Sequence, residues 1–461
     1  MMTESYDHSD TSLPLRGVFR DEGLRRGDDD DAPVYDALGI GFGPSNLSLA
    51  IALDEAGRRR GRQPRVRFLE RQDEFVWHGG MLLPDSGMQI SFLKDLVTLR
   101  DPTSPYTFIN YLHVHGRLID YINRKSFFPS RIEFNAYLRW VAGHFADRCD
   151  YGDTVLAVEP EGRGDTIRHL LVHSRKADGR ERRRRTRAVI LATGGEPRIL
   201  PVFEELQGSA RIFHSSRYLS RIDGVPLPDG ATRRPRIAVI GAGQTAAELF
   251  LDLQSRIPTA DISMIFRGQA LKPADDSPFV NEIFNPDFTD FVYGQPETQR
   301  RAIIDEFRGT NYSVIDTDLL TRIFDILYQQ KVCGEHRHAL RPRTTVVGAV
   351  EQAGEIVLET LDAATGLTAQ EAYDVVILAT GYRRDRLETI MPSLAPHLTD
   401  GTIGRDYRLA TRPGFEPGIY LQGFSEPTHG LSDTLLSILV MRGHEIAQSL
   451  LADRQTTAAR A

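Results

Sequence analysis

At two places in this chain an apolar stretch runs straight into a glycine-rich turn, and the turn into a helix. In the first, Tyr35 to Ile40 reads as a buried strand, Gly41-Phe42-Gly43-Pro44-Ser45-Asn46 as the turn and Leu47 to Ala56 as the helix, with Val66 to Glu70 as a second strand. The second repeats the order: strand Arg236 to Ile240, turn Gly241-Ala242-Gly243-Gln244-Thr245-Ala246, helix Ala247 to Leu253 and strand Ile262 to Arg267. Two strand–turn–helix–strand units of this dinucleotide-binding type imply two nucleotide sites. In such a turn the first glycine permits the bend. The second lets backbone approach a pyrophosphate, which rests on the helix N-terminus where free N–H groups and the dipole favour an anion. Pro44 stands for the third glycine in the first copy and Ala246 in the second; proline is tolerated where a helix begins. Two further segments match each other, Val189-Ile190-Leu191-Ala192-Thr193-Gly194 and Val375-Val376-Ile377-Leu378-Ala379-Thr380-Gly381. Each is expected to close its own nucleotide domain.

The ends of the second strands separate the two nucleotides. Glu70 offers a carboxylate to ribose hydroxyls, which suits an unphosphorylated adenosine such as that of FAD. Arg267 offers a guanidinium, which suits a ribose 2′-phosphate, so NADPH is expected rather than NADH. A chain with only two cysteines, Cys149 and Cys333, far apart in sequence, lacks the paired thiols of a disulfide reductase. The remaining common use of this pair of cofactors is oxygen activation, in which NADPH reduces the flavin, O2 reacts with it and one oxygen atom passes to a substrate.

The 461 residues carry a net charge of -7, small for that length and of the wrong sign for a nucleic-acid partner. No stretch has the roughly 18 apolar residues that cross a bilayer, and a cytoplasmic location is expected. Residues 1–33, with the run Asp28 to Asp31, are expected to form a disordered tail. The basic run Arg182 to Arg185 is expected in an exposed hairpin. Residues 276–339 read as a small, mostly helical insertion that caps a cleft. The division that follows is α/β: an FAD domain over 34–215 and 385–461, an NADPH domain over 216–275 and 340–384, and the substrate-binding insertion. Metal-ligand spacing is not evident.

Several longer motifs carry a resemblance. They are Gly39-x-Gly41-x-Gly43-Pro44-x-Asn46; Met88-Gln89-Ile90-Ser91-Phe92-Leu93-Lys94-Asp95-Leu96 followed by Arg100-Asp101-Pro102; and Asp275-Asp276-Ser277-Pro278-Phe279-Val280-Asn281-Glu282. With them go Gly309-Thr310-Asn311-Tyr312, Asp374-x-x-x-Leu378-Ala379-Thr380-Gly381-Tyr382 and His429-Gly430-Leu431-Ser432-Asp433-Thr434-Leu435-Leu436-Ser437. Over about residues 35–450 the chain resembles the microbial N-hydroxylating flavoprotein monooxygenases, the ornithine and lysine hydroxylases of siderophore biosynthesis, and the last motif is more similar to the ornithine branch. The Phe-x-Gly-x-x-x-His fingerprint of Baeyer–Villiger enzymes is degraded, since Ala210 precedes His214 where glycine belongs. The resemblance implies that Gly39, Gly41, Gly43, Pro44, Asn46, Glu70, Arg71, Trp77, His78, Gln89, Val155, Thr434, Leu435 and Leu436 hold FAD. It places Ala242, Gly243, Gln244, Thr245 and Arg267 on NADPH, and Lys94, Asn281, Asn311 and Ser437 on L-ornithine, with Gln89, Lys94 and Asn311 counted as catalytic. Homotetramers and monomers both occur in the resembled family.

These roles make chemical sense. The ornithine carboxylate needs a compact cation, and Lys94 is one of only five lysines in an arginine-rich chain. Two asparagines can bridge carboxylate and α-ammonium without adding charge. No carboxylate offers itself as a strong base for the side-chain amine, so positioning and desolvation are expected to keep it neutral. Rejection of lysine would rest on cavity depth, where one methylene is worth roughly 1–3 kcal/mol. Hydroxylation of lysine or a diamine, and a non-catalytic or uncoupled NADPH-oxidising flavoprotein, stay open as alternatives.

Overall fold

The computed structural model describes residues 33–163, 166–229, 232–384 and 389–458. The expected tail therefore lies outside the described residues up to residue 32.

Both predicted units form, and the first strand of each lies at the centre of a five-stranded parallel sheet. In the first, the strands run in the order Gly418–Leu421, Ala188–Leu191, Ala37–Ile40, Val66–Leu69, Cys149–Asp150. In the second, the order is Ala339–Arg341, Asp261–Ile265, Arg236–Ile240, Val375–Leu378, Ile212–His214. The matching segments at 189–194 and 375–381 join their own sheets beside the first strand, Val189 pairing with Leu38 and Val375 with Ile237, but neither is an edge: Gly418–Leu421 and Ile212–His214 lie beyond them. The architecture is α/β with two Rossmann-like halves.

The internal likeness runs further than the motifs. A three-stranded antiparallel meander precedes each closing strand, over Asp153–Arg163, Thr166–Lys176 and Glu181–Thr186 in one half and Thr344–Gln352, Glu355–Asp362 and Thr368–Tyr373 in the other. The basic run lies in the last strand of the first meander, not in a hairpin turn. Strand alternation sends Arg184 inward, where it meets Asp150 at 2.7 Å and Asp153 at 2.8 Å, and Arg185 pairs with Glu161. Arg182 and Arg183 stay exposed.

The second half begins earlier than expected and takes in a helix expected elsewhere. Ile212–His214 already belongs to its sheet, ahead of residue 216. The helix Thr317–Val332 packs on the helix Gln244–Arg256 and links Asp261–Ile265 to its parallel neighbour Ala339–Arg341. Its Leu319 and Ile323 share a core with Leu249, Leu253 and Ile262. It is thus a crossover helix of the second sheet, because its apolar face has that layer to cover. What remains between the strands as an insertion is the helical run from Val280 to Thr310. Among the described residues no helix is long and apolar enough to cross a membrane.

Candidate active site

The first turn is built from the strand outward. Gly39 lies within its strand, where any side chain would overlap the Phe68 ring. Gly41 makes the bend, with φ +86 and a would-be Cβ 2.6 Å from the Ala192 carbonyl oxygen. Gly43 precedes the helix Pro44–Arg60, and a Cβ there would meet nothing within 4 Å. Counted from the ends of their strands, Ile40 and Ile240, Gly41 and Gly43 match Gly241 and Gly243, so Asn46, not Pro44, corresponds to Ala246. Pro44 is simply the first helical residue, where its missing N–H costs nothing.

Asn46 is fully buried. Its amide donates to Gly41 O at 2.7 Å, and its Oδ1 accepts from Gln422 Nε2 at 2.8 Å. Glu70 is buried at the strand end, its Oε2 accepting from Phe42 N at 2.7 Å and its Oε1 from Gln72 N at 2.9 Å. Each of these oxygens keeps a lone pair for a hydroxyl. The N–H groups of Ser45 and Asn46 donate to no group among the described residues. Two free N–H groups, an open glycine and a strand-end carboxylate fit a dinucleotide of the FAD kind. Around this turn Trp77 N donates to Asn135 Oδ1 at 2.8 Å, and His78 takes left-handed backbone with φ 53. Arg71 is exposed, and Val155 packs beside the core of the first sheet.

The second turn also offers two free N–H groups, shifted one residue toward the glycines, with less support. Gly243 caps the helix without a side chain, and the N–H groups of Gln244 and Thr245 are likewise without partners among the described residues. Ala242 and Thr245 are half-buried, and Arg267 stands exposed past the strand end, in place to meet a phosphate. This donor set fits an NADPH-type dinucleotide. The Gln244 side chain, however, is committed elsewhere, to Asp316 at 2.8 Å and Glu248 at 3.3 Å.

The substrate candidates converge through their neighbours. Asp95 is buried and accepts from Val97 N, Thr98 N, Thr98 Oγ1 and Phe108 N at 2.7–2.9 Å. It shapes the loop that carries Lys94. The Lys94 ammonium lies 5.9 Å from the centre of the Phe284 ring, on the same short helix as Asn281, and makes no ion pair among the described residues. Partial burial lowers its pKa. That short helix packs on the turn Leu431–Thr434, which leads to Leu435, Leu436 and the buried Ser437. Tyr312, next to Asn311, donates to Glu426 at 2.5 Å and so brings its motif to the short helix Glu426–His429, which packs on that turn. The Asn281 amide donates to Asp276 O at 2.9 Å, while that of Asn311 has no partner among the described residues. Gln89 donates to Asp316 at 2.9 Å.

Four supporting residues escaped the sequence reading: Asp95, Asp316, Gln422 and Arg442. Only Asp95 sat inside a quoted motif. His214, the remnant of the Baeyer–Villiger fingerprint, is buried between Ser216 Oγ and Gly381 O, each 3.0 Å away. A surface hollow of about 420 Å³ between Pro201 and Glu351 holds none of the motif residues.

With this geometry in view, the comparisons decide the lineage. The family described as L-lysine 6-monooxygenase/L-ornithine 5-monooxygenase matches residues 33–384. The chain belongs to this family. Among fellow members, the L-ornithine N(5)-monooxygenase of Pseudomonas aeruginosa is 51% identical over 431 residues, 93% of this chain and 97% of that protein. Two solved members share the fold. The ornithine hydroxylase of Pseudomonas aeruginosa has a TM-score of 0.87 at 50% identity, covering 91% of this chain and 100% of that one. The Kutzneria sp. 744 ornithine N-hydroxylase with reduced FAD, NADP+ and L-ornithine has a TM-score of 0.85 at 35% identity, covering 92% and 100%.

Proposed function

We propose that this monooxygenase converts L-ornithine to N5-hydroxy-L-ornithine with FAD, NADPH and O2, for a siderophore or related natural product. The observation that carries the reading is Lys94: a half-buried ammonium without an ion pair among the described residues, facing the segment of Asn281, in a member of an amine-hydroxylating family. NADPH supplies the hydride and FAD the oxygen chemistry when they are bound. Gly43, Ser45, Asn46 and Glu70 would hold the flavin nucleotide, and Gly243, Thr245 and Arg267 the NADPH.

The remaining work falls to side chains. Lys94 takes the substrate carboxylate, with Asn281, Asn311 and Ser437 fixing the α-amino end. The side-chain amine must lose a proton before it attacks oxygen. Desolvation of that amine on entering the cleft would favour its neutral form, its proton passing to solvent. Two finer expectations accompany the reading, a cytoplasmic location and a homotetramer. Exposed Ile119, Ile122 and Phe127 offer apolar surface for such an assembly.

The deciding experiment supplies purified protein with FAD, NADPH, O2 and, in parallel, ornithine, lysine or putrescine, and identifies the product. Hydroxylamine is expected from ornithine; peroxide alone with all three would undo the reading, and preference for putrescine would leave Lys94 idle. Lys94→Ala is expected to raise the ornithine KM by roughly tenfold or more, the worth of one charge-assisted contact, with NADPH-driven flavin reduction nearly intact. Equal loss of reduction would remove Lys94 from the substrate.

A further inference from the structure

Asp316 occupies the residue just before the helix Thr317–Val332, where an aspartate ordinarily caps its own helix. Its side chain makes no cap bond. Instead Oδ1 accepts from Gln89 Nε2 at 2.9 Å, and Oδ2 accepts from Gln244 Nε2 at 2.8 Å. Its backbone N–H donates to Gln244 Oε1 at 2.9 Å. Gln89 belongs to the Lys94 loop, and Gln244 opens the helix of the second turn. One carboxylate thus ties the two nucleotide halves together beside the proposed site.

The chemistry of the pair fixes a direction. An ionised carboxylate only accepts, so both glutamines must turn their NH2 groups toward it. Gln244 is then fully used, its other N–H going to Glu248 at 3.3 Å, which Arg131 holds through two bonds of 2.8 and 2.7 Å. Gln89 is not: its Oε1 points away from Asp316 and has no partner among the described residues. Burial, with the nearby charges of Asp318 and Asp276, raises the Asp316 pKa. Helix capping offsets none of that cost, because the side chain forgoes it.

We propose that Asp316 is a positioning residue that sets the orientation of the Gln89 carboxamide and registers the second turn against the flavin-side loop, so that NADP+ is held in place. The inference rests on the functional reading above. Asp316→Asn keeps the shape but puts an NH2 where one glutamine needs an acceptor. In FAD-loaded, oxidised protein the dissociation constant for NADP+, measured by calorimetry, is expected to rise about tenfold, the worth of one hydrogen bond to a charged group. Hydroxylamine formed per NADPH consumed falls with it, while melting temperature and FAD content stay at wild-type values. Asp316→Glu, which restores the acceptor, recovers most of the affinity. Asp316→Ser serves if the asparagine variant does not fold, since serine caps a helix but is too short to reach both glutamines. Unchanged NADP+ affinity overturns the proposal, and so does loss of fold in both variants, which would mark a structural group. Wild-type protein that binds no NADP+ sinks the functional reading itself.

Discussion

The two glycine turns begin alike and are held differently. At the position of the third glycine the first has Asn46, whose amide is locked between Gly41 O and a glutamine 376 residues later. Arg442 adds a second clamp, reaching Ser45 Oγ at 2.9 Å across 397 residues while bound to Asp433. The second turn has Ala246 there, with no side-chain polar atom to pin, and its one polar side-chain tie among the described residues is Gln244 to Asp316 and Glu248. The first turn therefore takes its shape from the last fifth of the chain, and the second from its own helix and one neighbouring carboxylate. A site can share a backbone pattern with another and still owe its rigidity to residues that the pattern does not contain.

The sharpest way to break the comparison is Arg442→Met. Arg442 and Asp433 are both buried, and removing the cation leaves an unpaired carboxylate in the interior. The loss is expected at about 3–5 kcal/mol, read from urea unfolding. A loss under 1 kcal/mol would show that the clamp is not what holds the first turn. Asn46→Ala, which makes the first turn resemble the second, comes next. It strands the Gln422 amide and the Gly41 carbonyl, for about 2 kcal/mol. FAD content after purification should fall together with stability. Retention of both would mean that the first turn holds its shape without a polar side chain at this position, as the second does with Ala246.

Legibility followed the range of the interactions. The strand–turn–helix units stood out because their pattern is local, and the closing strands because they repeat almost letter for letter. The Lys94, Asn281 and Asn311 motifs were visible as strings, although the sequence did not show their neighbours, Phe284 beside Lys94 and Glu426 bonded to Tyr312. Pro44 falls on the third-glycine position only when glycines are counted from Gly39, which is inside a strand; the residue that bends is Gly41. Helix Thr317–Val332 was read as part of the cap because its apolar face looks the same whichever layer it covers. Arg184 looked like surface because a run of arginines hides the one that alternation turns inward. Gln422 and Arg442 were illegible in principle: their partners lie hundreds of residues away, and neither occupies a recognisable spacing.

The smallest expected effect tests the exposed end of the second unit against the buried end of the first. Glu70 is buried and bonded to backbone, whereas Arg267 is exposed and stands in solvent. A guanidinium there can give a 2′-phosphate a charge-assisted contact, but water screens it, so its worth is about 1 kcal/mol, roughly fivefold in affinity. Arg267→Ala should weaken NADPH by that factor, more at low salt than at high, and leave NADH unaffected. Titration of both coenzymes against FAD-loaded protein separates two causes. Loss confined to NADPH identifies Arg267 as the group that reads the phosphate. Equal loss of both coenzymes would mean that Arg267 shapes the turn itself, and the second turn would then have a side-chain support that its geometry does not reveal.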